Sequence, residues 1–364
     1  MTDWGKECAI SQIPRKGRGA ISNATGRYES QVREQVDDGW PSLGEDRPEI
    51  RTTLGVDSAR RVISRNQSPD VPFDQSINPY RGCEHGCSYC FARPTHAYLG
   101  LSPGLDFESR LFHKPDAPAR LVEELGEKRY VCSPIALGIN TDAYQPVERR
   151  LGLTRQLLEV LWSQYHPVSI VTKSALIERD IDLLAAMAAK QLAQVFVSIT
   201  TLDPLLARSL EPRAPTPARR LSVIRHLAAE GIPCGVLIAP VIPALNDHEL
   251  ESILSAAAKA GAQTAGYAML RLPLEVKPIF TEWLDVHARG RKEHVMSLLR
   301  QMHGGREYEA TFGVRMQGRG PYASLIAQRF KMAARREKLD QKLPPLNCGD
   351  FTPPRLNREQ LELF

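Results

Sequence analysis

Five short apolar, β-rich runs recur along this chain, separated by longer stretches with helical spacing. The runs are YVCSPIALGI (130–139), PVSIVTK (167–173), QVFVSIT (194–200), CGVLIAPV (234–241) and TAGYAML (264–270). Helices are predicted at 117–128, 148–165, 178–191, 217–231 and 247–261, and EWLDVHARGRKEHVMSLLRQMHGG closes the series. Gly231, Gly261 and Gly304 stand where helix ends want a residue tolerant of positive φ, and Asp247 is an N-cap candidate. Apolar strands alternating with helices require a parallel sheet with helical cover, because parallel neighbours can be joined only by a long crossover. The spacing leaves two α/β architectures open, a doubly wound sheet and a barrel that need not close.

In both, ligand-binding groups collect at the carboxyl ends of the strands. That places Asn140, Thr141 and Asp142 after one strand, Lys173 and Ser174 after the next, and Ser198, Thr200 and Thr201 after a third. PVIPALND (240–247) and Arg271 follow the last two. Asp142 and Asp247 are the ones best suited to cap a following helix instead, and Arg271 is set to bind an acidic group or to pair with Glu275.

A loop at the same mouth, NPYRGCEHGCSYCFARPTHAYLG (78–100), holds Cys83, Cys87 and Cys90 with no fourth cysteine nearby. A closed structural metal site takes four protein ligands. Three thiolates on an iron–sulfur cube would leave one iron open for a chelating small molecule. Zinc closed by His85 and an exposed redox pair of Cys87 and Cys90 are the other readings. Gly82 and Gly86 let the backbone wrap tightly.

The flanks differ from this core. Residues 1–75 are rich in Gly, Pro, Arg, Asp and Ser and read as an extended, partly disordered N-terminal arm with one short strand near 61–64. Residues 76–303 form the core domain and 304–364 a basic C-terminal extension. The net charge of +5 is concentrated there: from Gly304 onward 11 Lys and Arg face 7 Asp and Glu. RFKMAARREK (329–338) therefore reads as a solvated helix face, with contact to phosphates as the second reading. Seven cysteines, three of them clustered, argue for metal chemistry in a reducing compartment. No apolar run is long enough to cross a bilayer and no signal core precedes the arm, so a cytoplasmic protein without membrane partners is expected.

CxxxCxxC with Tyr89 before the last cysteine resembles the signature of the radical S-adenosylmethionine (SAM) superfamily. The longer string NPYRGCEHGCSYCFAR, followed in order by TDAYQPVE, VTKS, SITT with LEPRAP, PVIPALND and LRLP, is similar to the branch containing spore photoproduct lyase and proteins related to "DNA repair photolyase". The resemblance covers roughly residues 55–340. It implies an α/β fold, a partial (β/α)6 TIM-like barrel of parallel strands. It also implies that Cys83, Cys87 and Cys90 ligate three irons of a [4Fe–4S] cluster whose fourth iron chelates SAM. Tyr89 and Phe91 would lie against the adenine, Lys173 would pair with the SAM carboxylate, Ser198 would sit near the ribose, and Asn140 would add a small polar contact. The implied activity is one-electron cleavage of SAM to methionine and a 5′-deoxyadenosyl radical that takes a hydrogen atom from a substrate. An electron donor such as a flavodoxin or ferredoxin is the implied partner, and a nucleic-acid base is one substrate class.

The lyase carries a hydrogen-donating cysteine near the end of the second strand, a position that falls near Gly138 in this chain. Cys132 and Cys234 start their strands, at the opposite end, and Cys8 and Cys348 lie in the flanks. His96 and Tyr98 follow the loop and either line the substrate space or pack. RMQGRGPYA (315–323) reads as a turn more readily than as a phosphate loop, and Met269, Met302 and Met316 as core filler. The arm and the segment after Gly304 are candidates for covering the mouth. The competing function is a non-catalytic iron–sulfur or zinc protein that binds nucleic acid through the basic tail. A third reading is a radical SAM enzyme maturing a protein or small metabolite.

Overall fold

The structure, a computed structural model, describes residues 14–29, 32 and 49–355. Its strands are β1 (Thr53–Val56), β2 (Ile63–Arg65), β3 (Gln75–Ile77), β4 (Tyr80–Arg81), β5 (Arg110–His113), β6 (Ile135–Leu137), β7 (Val168–Thr172), β8 (Ala193–Ser198), β9 (Cys234–Val241) and β10 (Thr264–Met269). The helices are α1 (Leu105–Ser109), α2 (Ala117–Leu125), α3 (Glu148–Leu151), α4 (Leu153–Ser163), α5 (Ile181–Ala188), α6 (Pro204–Leu210), α7 (Pro217–Ala229), α8 (Leu250–Ala260), α9 (Val276–His287), α10 (Lys292–Met302) and α11 (Gly320–Arg336).

Seven strands form one sheet in the order β10-β9-β8-β7-β6-β3-β2. Six are parallel, and β2 closes one edge antiparallel to β3. This is the partial barrel of six parallel strands, open at β10. Strands β3 and β6 are buried throughout, as strands covered on both faces must be. The core joins strand residues such as Ile135, Ile170, Val195 and Val236 to Leu157, Leu184, Ile224 and Ile253 from the helices outside.

Two boundaries moved for local reasons. The helix expected over 148–165 is two helices, because Gly152 sits at φ 64° and a left-handed residue cannot continue a right-handed helix. The strand expected over 130–139 pairs only at 135–137; Pro134 has no N–H for the ladder. Asp247 does not cap α8. It lies in a 3-10 turn, and its carboxylate accepts a 2.6 Å bond from the Tyr322 hydroxyl.

The N-terminal segment is more ordered than its composition predicts. β1 pairs with β5, which pairs with β4, in a second, three-stranded sheet. The C-terminal segment is a strap on the barrel's outer wall. Within RFKMAARREK, Ala333 and Ala334 are buried, and Arg329 pairs with Glu251 at 2.7 Å. Beyond it, Leu339 O accepts from Ala265 N on the edge strand at 3.0 Å. Asn347 N and Thr352 N then bond to Gln191 O and Gln164 O, both 2.9 Å, at the amino ends of β8 and β7. Phe351 closes an aromatic group with Tyr130 and His166, at centroid distances of 5.6 and 5.2 Å. Cys348 is therefore anchored, close to Cys132 at the end of the barrel opposite the mouth. Cys234 is a buried first residue of β9, and Cys8 lies outside the described residues.

Burial lowers the His166 imidazole to about 4. The unfolded chain titrates near ~6.5 and so binds the proton first. Stability is then fully present above that value and is lost as pH falls through the window down to the folded value, by about 3 kcal/mol at most. Urea unfolding of the wild type and His166→Asn should show a stability difference that shrinks from pH 7.5 to pH 4.5. A difference independent of pH would contradict it.

Candidate functional site

The loop after β4 lies over the carboxyl ends of the parallel strands. Glu84 N donates to Gln145 Oε1 at 2.9 Å, Ser88 N to Leu210 O at 3.0 Å, and Arg213 N to His85 O at 3.3 Å. These tie it to the loops after β6 and β8. Gly82 and Gly86 take φ of 74° and 66°. A Cβ on Gly86 would stand 2.7 Å from Glu108 Oε2, so side chains are excluded by space as well as by conformation.

Arg93, fully buried, holds the loop from beneath. Its Nε donates to Cys87 O at 2.9 Å, Nη1 to Pro103 O and Gly104 O at 3.0 and 2.9 Å, and Nη2 to Gly86 O at 3.3 Å and to the Glu108 carboxylate. Glu108 also accepts from Gly19 N and Ala20 N at 2.9 and 2.8 Å. The N-terminal arm is thereby laid backbone to backbone on the loop; a Cβ on Gly19 would fall 1.7 Å from Gly86 O. No sequence pattern marked Arg18, Gly19, Arg93 or Glu108, because their partners are distant along the chain.

Cys83 and Cys87 are buried and Cys90 half-buried. Burial pushes Cys87 up to about 12, and burial with the neighbouring Asp142 and the other two thiols pushes Cys83 well above its usual range. Thiolates here need a cationic centre to exist, and a metal cluster supplies one. The donor set distinguishes the candidates. His85 turns its Nδ1 to Asp142 Oδ2, 3.4 Å away. Among the described residues no three His, Cys, Asp or Glu side chains are grouped to share one ion. A four-iron cube gives each thiolate its own corner, so the three need not converge. The residues fit a cluster better than a zinc ion.

Charged groups line the next layer. Lys173, at the end of β7, lies with its Nζ 5.9 Å from the Tyr89 ring centroid. Burial lowers its pKa, but the Cys87 thiol and Glu211 outweigh that and hold the ammonium above its ordinary value. Burial raises Glu211, and Arg220 and Lys173 overcome it to set the carboxyl at about 2. Glu211 accepts from the Tyr89 hydroxyl, from Arg220 Nη2 and, at 2.6 Å, from Thr200 Oγ1. Asp142 accepts from Tyr144 N (2.9 Å), Thr172 Oγ1 (2.8 Å) and Lys173 N (2.7 Å), so it joins the ends of β6 and β7 rather than capping a helix. Glu211, within the LEPRAP string, and Arg220 carry no local signal of this role; a buried arginine is visible in sequence only as an interruption of the apolar face of α7.

The other expected residues are also at the mouth. Asn140 is half-buried; its N–H donates to Asn78 Oδ1 at 2.9 Å, and its side-chain amide has no protein partner among the described residues. Ser198 is buried, with a long 3.4 Å bond from its hydroxyl to Ala239 O. Phe91 is 42% exposed, under the Arg271 guanidinium at 4.5 Å. Tyr89 points its hydroxyl inward, so its phenol serves the buried network. His96 packs: Nε2 meets Arg110 O at 2.9 Å and the ring is edge-on to Phe107. Tyr98 stacks on Tyr28 of the arm. Beside the loop opens a cavity of about 540 Å³ lined by His85, Tyr144, Ser174, Arg179, Arg213 and Arg219, among others.

Residues 77–257 match the family model for the radical SAM superfamily. The chain carries a radical SAM domain. Members of this superfamily use a [4Fe–4S] cluster and SAM. An uncharacterized protein of Mycobacterium tuberculosis is 40% identical over 216 residues, which is 59% of this chain and 64% of that protein. An uncharacterized protein of Methanocaldococcus jannaschii is 28% identical over 191 residues, 52% of this chain and 68% of that one. The chain thus spans somewhat less than two thirds of the mycobacterial relative. Solved structures of spore photoproduct lyase share the fold, one with a TM-score of 0.56 at 17% identity, covering 78% of each chain. Another, at a TM-score of 0.54 and 17% identity over 78% of each chain, contains AdoMet and dinucleoside spore photoproduct. Among the described residues of the radical SAM protein, no helix is long and apolar enough to cross a membrane.

Gly19→Ala should lift the arm from the loop, so that trypsin cuts after Arg15, Lys16 or Arg18 faster than in the wild type. Glu108→Gln leaves Arg93 buried without its counter-charge and should cost about 3 kcal/mol or more in urea unfolding.

Proposed function

We propose that this protein is a radical SAM enzyme in which Cys83, Cys87 and Cys90 hold a [4Fe–4S] cluster at the mouth of the partial barrel. One observation carries the reading: three thiols without a fourth ligand lie over the carboxyl ends of six parallel strands, with the Lys173 ammonium beside them. Reduced cluster and SAM together would supply one-electron, hydrogen-abstracting chemistry.

The chain's own residues bind, orient and exclude water. Lys173 offers its ammonium to the SAM carboxylate, a charge-assisted pairing that gains strength in a partly dry mouth. Tyr89, fixed by Glu211 and Thr200, holds the ring beneath that ammonium. The free amide of Asn140 is available for a polar contact, Ser198 is the ribose-side hydroxyl, and the open face of Phe91 is a wall for adenine. The arm at Arg18–Ala20 covers the loop and keeps water from it.

A large substrate, with a nucleic-acid base among the candidates, is the class we favour, since a solved structure of spore photoproduct lyase that shares this fold is complexed with dinucleoside spore photoproduct. A small flavodoxin- or ferredoxin-like protein would deliver the electron. The lyase's cysteine position falls near Gly138 here, which at φ 82° and with a would-be Cβ 2.5 Å from Val171 O admits no cysteine. Lesion cleavage by that donor is not the proposed reaction. The non-catalytic reading, binding nucleic acid through the tail, is disfavoured because α11 spends Arg329 on Glu251 and buries Ala333 and Ala334.

Protein purified without oxygen should contain iron and sulfide and, once reduced, convert SAM to 5′-deoxyadenosine. Cys87→Ser should lose the iron. Lys173→Met should keep the iron and bind SAM about tenfold more weakly. Iron-free wild-type protein, or unchanged iron in Cys87→Ser, would remove the basis of the reading.

A further inference from the structure

Strand β10 is the last parallel strand of the sheet, its outer edge bonded to Met316 O and Leu339 O, and the chain leaving it delivers Arg271 to the mouth. The Arg271 guanidinium lies 4.5 Å from the centre of the Phe91 ring, immediately after Cys90. It is half-buried, yet among the described residues no carboxylate or carbonyl accepts a hydrogen bond from it. The nearby acids are committed elsewhere. Glu275, four residues on, pairs with Arg27 at 2.5 Å, which replaces the Arg271–Glu275 pair expected from sequence. Asp70 takes the Nε of Arg315 and, at 2.6 Å, the N–H of Gly313. Two guanidinium groups thus share the neighbourhood of one carboxylate, and that carboxylate is used by Arg315.

Stacking on an aromatic face balances part of the charge but satisfies none of the five N–H donors. Lacking a protein acceptor, the half-buried guanidinium gives its hydrogen bonds to water, and an oxyanion that replaces that water forms stronger, charge-assisted ones. A guanidinium lying over a ring keeps its donors in its own plane, the geometry that matches two oxygens of a carboxylate or phosphate. The site is separate from Lys173. β7 and β10 are three strand steps apart, roughly 14 Å at about 4.8 Å per step. One carboxylate cannot serve both.

We propose that Arg271, stacked on Phe91, is the receptor for an oxyanion, phosphate or carboxylate, carried by the substrate. The inference rests on the radical SAM reading only in assigning that anion to the substrate. Its test uses the full-length, anaerobically purified protein at constant ionic strength. Phenylglyoxal modification of Arg271, mapped by mass spectrometry, is followed in sodium chloride, inorganic phosphate and acetate. Phosphate or acetate should slow it about tenfold relative to chloride, and the better protector identifies the class of anion. Phosphorus-31 line broadening by the protein should be lost in Arg271→Gln and partly kept in Arg271→Lys. SAM affinity, measured on the same samples, should be equal in all three proteins. Equal modification rates in the three salts would overturn the proposal, as would an Arg271→Gln protein whose SAM affinity falls along with its phosphate binding. If phosphate protects Arg271 in a wild-type protein that binds no SAM, the receptor stands and the radical SAM reading fails.

Discussion

The buried ion pair between Arg93 and Glu108 is the contact on which the mouth depends. Both side chains are fully withdrawn from water, a costly state unless each is saturated. Each is. Arg93 donates to four carbonyls besides Glu108, two of them the carbonyls of Gly86 and Cys87. Glu108 receives the arm at Gly19 and Ala20. The loop that presents three thiols is thus fixed by groups outside the cysteines.

Above that clamp the charges alternate in sign. Arg220, Glu211 and Lys173 run inward to outward, with Tyr89 bonded into the middle. Glu211 is held ionised by its two cationic neighbours, and its own charge keeps Lys173 protonated beside the cysteines. Burying one of these groups alone would be prohibitive; together they deliver a single ammonium to the mouth in a defined place.

The two flanking segments have different tasks, which their similar lack of periodicity conceals. The arm packs on the cysteine loop. From α11 onward the C-terminal strap runs away from it, along α8 and the edge strand and across the amino ends of β7 and β8. The strap's basic residues partly serve the barrel wall. The mouth's uncommitted positive charge instead sits at the edge strand, where Arg271 faces outward on Phe91.

A parallel sheet under helical cover, the polar strand ends and the three-cysteine loop were legible in the residues, whereas the choice of a six-stranded partial barrel over a doubly wound sheet came only with the family resemblance. The former depend on short-range patterns: apolar runs, helical spacing and cysteines a few positions apart. The same patterns missed the break at Gly152 and drew β6 longer than its paired Ile135–Leu137. What they could not reveal were the contacts between distant segments. Gly19 against Gly86, Arg93 against Glu108, β1 against β5, and Arg271 on Phe91 rather than with Glu275 are all set by long-range packing. Nothing in the local sequence records such a pairing, because the free energy of desolvating each of these groups is balanced only by a partner that the folded chain brings to it.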